Sequence, residues 1–588
     1  RLRNHPGQAT PEDMAVLAEH LPEAMEAAER ISDRDLVLNV EMSYVEGLWL
    51  ARPQGWETSL EDLLGQFLQG VRAEPVRWPL MNALALLGRF RAYQKRNPEA
   101  VAALREAIGE LESYVQEAGP AATQRVRAAW KEEYELLARL QLESGNAPEA
   151  LATLDRKGQL ATVASFPLSR LEPRRPELRR ELVRATELQQ RLPELQREAA
   201  SNPGAEGLLA RTRAEFYRCL DQLQRAEPGY ARLTVRPNNF TRVQPLLPAD
   251  AVLVVLFPAE QRLYLFVATR DALKIRQVDV PLATLSRAVQ AFRRAVATYS
   301  RNPGEFSWTS HEGTQVVGPM LELGSHILAP LQEDLRGKGV VAFVPTGPLH
   351  YFPMQCLALP DPGGGRPRFL VEDHPVVLVT KASDLELLSR PPVQTEPGLL
   401  ALADPDGSLA GARDEVRELQ KLFPGARVFT GPEATAERLS QVGRVAYLHL
   451  ATHGTLDSLS PMDSYLLMAG TPQRLTVGDI AGLDMGGVRL ATLSACQTGL
   501  AEANPEVGAD LTSLADAFGF AGCSSLLASL WKVSDRVTRD LMVEFYRELA
   551  QGTPRGVALQ RAQIRLLRGE GTAHPFYWGA FVLVGDWR

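Results

Sequence analysis

Tyr447-Leu448-His449-Leu450-Ala451-Thr452-His453-Gly454 and Val488-Arg489-Leu490-Ala491-Thr492-Leu493-Ser494-Ala495-Cys496-Gln497-Thr498-Gly499 are two β-rich runs, each closed by a small or turn-forming residue. Parallel sheets deliver side chains to the carboxyl edge of their strands in this way, and open α/β sheets place their sites there. A thiol and an imidazole brought to neighbouring strand ends make a cysteine nucleophile with an acid/base partner.

The surroundings of these runs carry the same pattern. A strand over 398–403, a helix over 410–422, a turn at Pro424-Gly425, a strand over 426–430 and a helix over 435–442 precede them. A helix over 509–521, a strand over 524–530, a helix over 536–550 and a strand over 576–584 follow. Before the Pro-rich stretch 390–397, strands at 251–258, 262–269, 340–345 and 376–380 alternate with helices, which argues for α/β with a largely parallel sheet. Residues 166–231 read as two long helices broken near Ser201-Asn202-Pro203-Gly204, with Pro193 expected to kink or end the first. Residues 1–165 read as helical hairpins. Thr10-Pro11-Glu12-Asp13 is a helix start, and Asn97-Pro98-Glu99-Ala100 and Asn146-Ala147-Pro148-Glu149-Ala150 are two more. The latter pair lie 49 residues apart, longer than a 34-residue tetratricopeptide repeat, so a loose repeat and a generic bundle both stay open. Stacked helical pairs leave a concave surface suited to a protein partner.

The chain has 588 residues, 64 basic and 71 acidic, for a net charge of −7. That balance gives no footing for direct nucleic-acid binding. No apolar run approaches the ~20 residues of a membrane span, and no secretory signal is read at the start. The chain begins with Arg1 rather than Met, which leaves room for an upstream segment. Its four cysteines, Cys219, Cys356, Cys496 and Cys523, form no CxxC pair, and their scarcity fits a reducing cytoplasm. No compact ligand cluster calls for a metal, and no cofactor motif is read.

Cys496 alone reads equally as a small core hydrophobe, and His453 alone as a turn residue before Gly454. Their pairing, 43 residues apart with the histidine first, shifts the balance. Caspase nucleophiles sit in Gln-Ala-Cys-[Arg/Gln/Gly]-Gly, with their histidine about 50 residues upstream. His449 shares a strand face with His453 and reads as either a neighbour in the site or a satisfied interior histidine. His350 and Cys523 read as structural.

These strings resemble the CHAT proteases, caspase-like and separase-related peptidases often joined to tetratricopeptide repeats. The likeness runs from about 232 to 588. It rests on Pro345-Thr346-Gly347-Pro348-Leu349-His350-Tyr351-Phe352-Pro353, Leu409-Ala410-Gly411-Ala412-Arg413-Asp414-Glu415, the histidine and cysteine strings, Ala528-Ser529-Leu530-Trp531-Lys532-Val533-Ser534-Asp535 and Trp578-Gly579-Ala580-Phe581-Val582-Leu583. The resemblance implies a multi-domain chain: an N-terminal α-helical repeat-like region, then a caspase-like α/β/α sandwich. The expected segments are 1–165 helical, 166–231 a long-helix connector, 232–395 a pseudo-protease half and 396–588 the catalytic half. It implies a cysteine endopeptidase with Cys496 as nucleophile and His453 as general acid and base. Backbone N–H groups of Gly454 and Cys496 would hold the oxyanion.

Trp531, Asp535 and Asp510 are the substrate-binding candidates. The acid that metacaspase-like relatives carry two residues before the cysteine is Ser494 here, and the acid that separases carry after Leu-Trp is Lys532. Partners implied are a protein substrate and an activating protein or complex on the helical region. A role in bacterial antiviral defence or programmed cell death comes with the family. The alternatives are a helical scaffold carrying an inactive caspase-like module, and a transamidating Cys–His enzyme.

Overall fold

The Asn146 side chain accepts a hydrogen bond from the Glu149 N–H at 3.3 Å, with a proline in the first turn, and so starts the helix Ala147–Ser165. Such punctuation recurs through the N-terminal part of the computed structural model. The structure describes residues 34–52, 55–72, 77–118, 130–173, 175–235, 240–301, 306–363, 365–389, 398–455, 461–494 and 510–588, with a few isolated positions between them. The chain divides into two compact units. One holds Arg1–Ser169, Arg175–Ala226 and Leu233–Arg236; the other holds Arg170–Arg174, Glu227–Arg232 and Pro237–Arg588.

The first unit is helical. Helices α1 (Arg34–Ala51), α2 (Trp56–Val71), α3 (Arg77–Tyr93), α4 (Asn97–Ala118), α5 (Lys131–Glu143), α6 (Ala147–Ser165), α7 (Arg179–Ser201) and α8 (Glu206–Ala226) pack as successive pairs. One apolar core, including Leu64, Leu84, Leu104, Ile108 and Leu137, runs through the pairs from α1 to α6. Pro193 does not end the first long helix: α7 runs through it. The proline removes one N–H and crowds the preceding turn. The buried stripe Leu182, Ala185, Leu188, Leu192 and Leu195 outweighs that local loss. The helix start at Thr10–Asp13 lies outside the described residues.

The second unit is built on one sheet. Its strands are β1 (Ala251–Pro258), β2 (Leu263–Ala268), β3 (Leu273–Val278), β4 (Val340–Val344), β7 (Val376–Leu378), β8 (Leu399–Ala403), β9 (Arg427–Thr430), β10 (Tyr447–Ala451), β14 (Leu490–Ser494), β15 (Ser525–Ser529) and β16 (Phe581–Gly585). Two smaller sheets hold β5 (Ala358–Leu359) with β6 (Arg368–Phe369), and β11 (Gly454–Thr455), β12 (Tyr465–Leu467) and β13 (Arg474–Thr476). The main order is β3-β2-β1-β4-β7-β16-β15-β14-β10-β8-β9. Central strands such as β4, β8, β10, β14 and β15 are buried along their whole length, so the sheet is covered on both faces. The edge strands β3 and β9 are half-exposed. Lys274 and Arg276 on β3 pair with Asp334 at 2.8 and 2.9 Å, a charged finish suited to an unpaired edge.

Strand direction positions the site. β1, β4, β7 and β16 run parallel to one another, and so do β15, β14, β10, β8 and β9. β16 meets β15 antiparallel. The two parallel sets therefore run in opposite senses, and their carboxyl ends face opposite edges. The β4 strand, which leads to His350, ends at the edge away from β10 and β14. Strands from both sides of the expected boundary near 395 share this one sheet, and β16, from the later segment, joins the set that holds β1, β4 and β7. The last strand is shorter than expected, because Pro575–Trp578 forms a helical turn first.

Candidate active site

β10 and β14 are adjacent and parallel, with Ala451 opposite Ser494. His453 follows Ala451 by two residues, and Cys496 follows Ser494 by two. The ends of β10 and β14 thus lie side by side on the same sheet edge, one strand spacing apart. Cys496 lies outside the described residues; β14 is described up to Ser494.

The small sheet β11-β12-β13 holds His453 in place. The His453 carbonyl accepts the Leu467 N–H at 2.8 Å, and the Thr452 hydroxyl donates to the Leu467 carbonyl at 2.7 Å. In this antiparallel register, the bonded pair His453 and Leu467 makes Gly454 and Leu466 a non-hydrogen-bonded pair. The Gly454 N–H therefore turns away from β12.

The other side of His453 is set by the loop after β8. Asp404 is fully buried and adopts φ 52°, a left-handed conformation that aspartate tolerates better than most residues. Its carboxylate accepts the Leu409 N–H at 2.6 Å and pairs with Arg413. Gly407, at φ 82°, completes the reversal where a side chain would be strained. Ser408 is then presented to His453, its Oγ 2.7 Å from Nε2. Ser408 donates to Asp406 Oδ1 through its hydroxyl at 2.8 Å and its N–H at 3.1 Å. Asp406 Oδ2 lies 3.9 Å from Nε2. Burial works to raise the Asp406 pKa, but the Ser408 bonds and the His453 ring outweigh it and hold the carboxyl below the usual range. The His453 side chain is 29% exposed and so open to a ligand.

Helix α11 (Ala410–Leu422) starts at this loop and sends Glu415 under the sheet. Glu415 Oε1 lies 2.7 Å from His449 Nε2. The two buried atoms are in contact without being aligned as a hydrogen bond. His449 Nδ1 is 3.2 Å from the Tyr546 hydroxyl, which is 2.8 Å from Thr492 Oγ1. His449 is thus a fully buried, partnered interior histidine. Tyr546, on α13 (Asp535–Ala550), ties β10 to β14 behind the site.

The substrate-binding candidates separate. Trp531 follows β15 on the same edge. It is half-buried, its indole N–H donates to the Phe576 carbonyl at 2.9 Å, and its ring packs on Phe292. Asp535 is exposed at the start of α13 and sits against Gly411, where a Cβ would collide with it. Asp510 begins the helix α12 (Asp510–Phe520), and its side chain lies outside the described residues. Cys219, Cys356 and Cys523 are all buried. Burial pushes each of these thiols up, Cys523 to about 11, which makes them poor thiolates. Among the described residues no cluster of His, Cys, Asp and Glu could hold a metal ion, and no helix is long and apolar enough to cross a membrane.

Sequence reasoning missed Asp406, Ser408 and Glu415 as parts of this arrangement. Glu415 stands in a quoted string, and Asp404-Pro405-Asp406-Gly407-Ser408 is a turn signal directly after a strand.

A largely parallel α/β sheet, with His453 just past the end of β10 and β14 beside it, is the frame of this edge. Residues 319–586 match the family model described as CHAT domain. Tetratricopeptide repeat protein 28 of Homo sapiens is 32% identical over 113 residues, which are 19% of this chain and 4% of that protein. Two crystal structures of the Saccharomyces cerevisiae separase–securin complex align with 97% and 99% of this chain at 11% identity, with TM-scores of 0.42 and 0.41. The chain spans 49% and 48% of those structures' chains.

Proposed function

We propose that this protein is a cysteine endopeptidase that cuts a specific protein partner through Cys496 and His453. The observation that carries the reading is the β10–β14 register, which sets Ala451 opposite Ser494, the residues two before His453 and Cys496 in the sequence. The burial of the other three cysteines supports it. His453 takes the Cys496 proton and the thiolate attacks the scissile carbonyl carbon. The carbonyl electrons move onto oxygen, held by the N–H groups of Gly454 and Cys496. The C–N bond then breaks as His453 protonates the leaving amine. Water, deprotonated by His453, cleaves the thioester, and the proton returns to Cys496.

Asp535 is the candidate carboxylate of the cleft, and Trp531 its candidate wall. The helical unit recognises the substrate or an activating protein, and the protein works in the cytoplasm, in defence or programmed cell death. A second reading keeps the helical scaffold and drops the chemistry. Cleavage profiling on a peptide library, full chain against Cys496→Ala, decides between them. The expected result is a defined set of cut peptides, lost in the variant, with mass spectrometry showing hydrolysis rather than ligation. Equal cutting by the variant, or none by the parent, ends the protease reading.

A further inference from the structure

We infer that Ser408 and Asp406 are positioning residues that fix the proton of neutral His453 on Nε2 and leave the lone pair on Nδ1. The inference rests on the reading of His453 as the acid/base, but its geometry stands independently. A serine hydroxyl has one proton and two lone pairs. The Ser408 proton is committed to Asp406 Oδ1 at 2.8 Å, because an ionised carboxylate only accepts. Asp406 keeps its charge, since its pKa is held low. At 2.7 Å from His453 Nε2, the Ser408 oxygen has only a lone pair to offer. Nε2 must therefore be the donor, and in the neutral ring Nδ1 is the base.

The relay is Asp406 carboxylate, Ser408 hydroxyl, His453 Nε2–H, with the carboxylate acting through a hydroxyl rather than touching the ring. At 3.9 Å, Asp406 Oδ2 adds an attraction that grows when the ring takes up a proton. The Asp404 bonds to Leu409 and Arg413 shape the loop that presents Ser408, so the relay is set by the fold before any substrate arrives. Losing it frees the ring to exchange tautomers and to rotate, which costs reaction rate more than binding.

The test has two parts. In the Cys496→Ala full chain with ring-15N histidine, and with His453 assigned through His453→Gln, the neutral His453 ring is expected as the Nε2–H tautomer. Adding Ser408→Ala or Asp406→Asn should give a mixture. An Nδ1–H tautomer at the start, or a ratio unmoved by both substitutions, overturns the inference. In the active chain, with a fluorogenic peptide drawn from the library, Ser408→Ala and Asp406→Asn should each lower kcat by about 10²-fold. KM should stay within about two-fold, as expected for a loss of orientation rather than of uniform binding. Ser408→Thr, which keeps the hydroxyl, should restore most of the rate. Unchanged kcat in both variants also overturns it. If Cys496→Ala cuts the peptide as fast as the parent, the protease reading fails while the tautomer result still decides the relay.

Discussion

The two edges of the main sheet use the same kinds of residue to opposite ends. At the carboxyl edge of β10 and β14, His453, Ser408 and Asp406 are joined by hydrogen bonds in groups that remain partly open to water. At the other edge, past the end of β7, Lys381, Asp384, Asp516 and Arg232 are closed off. Arg232 lies 3.1 Å from Asp384 and 2.8 Å from Asp516, and Lys381 lies 2.8 Å from Asp516. Two cations and two anions cancel there. Burial pushes the Asp384 carboxyl up, but Arg232 and Lys381 outweigh it and hold it below the usual range. Exposure leaves the first group within reach of a ligand, while burial closes the second off from one.

Removing one charge from the closed edge should do the most damage. Asp516→Asn leaves Lys381 and Arg232 short of a buried partner, with an expected cost of about 3–5 kcal/mol in chemical denaturation. Asp406→Asn, on the open edge, should cost less than about 1 kcal/mol. Equal losses would erase the contrast.

His574 sharpens the comparison from within the second unit. It stacks on Tyr299 with ring centres 3.7 Å apart, and burial lowers its pKa to about 3. Its ordinary value is about 6.5, so the stability it contributes is complete above that pH and is lost as pH falls toward 3. The loss amounts to roughly 3 kcal/mol by pH 4 and about 5 kcal/mol once pH is below the folded value. His574→Asn, which keeps a helix-capping side chain, should flatten that slope in denaturation midpoints measured from pH 7 to 4. An unchanged slope would remove His574 as its source.

Tyr546→Phe should cost less than either buried-charge change, about 1–2 kcal/mol, from the hydrogen bonds lost at His449 and Thr492. Thermal melting reads it. No change would mean that the hydroxyl does not tie β10 to β14.

Much of this architecture is legible in the sequence because apolar runs ending in small residues are local signals. The runs at 251, 340, 399, 447 and 490 are strands, and α11 spans 410–422 as expected. That β10 and β14 are neighbouring parallel strands agrees with reading both runs as members of one parallel sheet. Other features depend on partners far away in the chain. β3 carries Lys274, Arg276 and Gln277, so its alternation is that of an edge and too polar to announce a strand. The closed cluster joins residues as much as 284 positions apart. Asp406 and Ser408 look like turn residues until β10 brings His453 beside them. Pro193 reads as a break because the stripe that keeps α7 whole is a tertiary effect.

The antiparallel joint has a consequence for biosynthesis. β16 sits between β7 and β15, so the bridge joining the two sets of strands is made from residues 581–585. While the ribosome is still adding those residues, the sheet has a gap at its centre and cannot close. A chain cut short before them would carry the His453 loop on a sheet still split into two sets of strands.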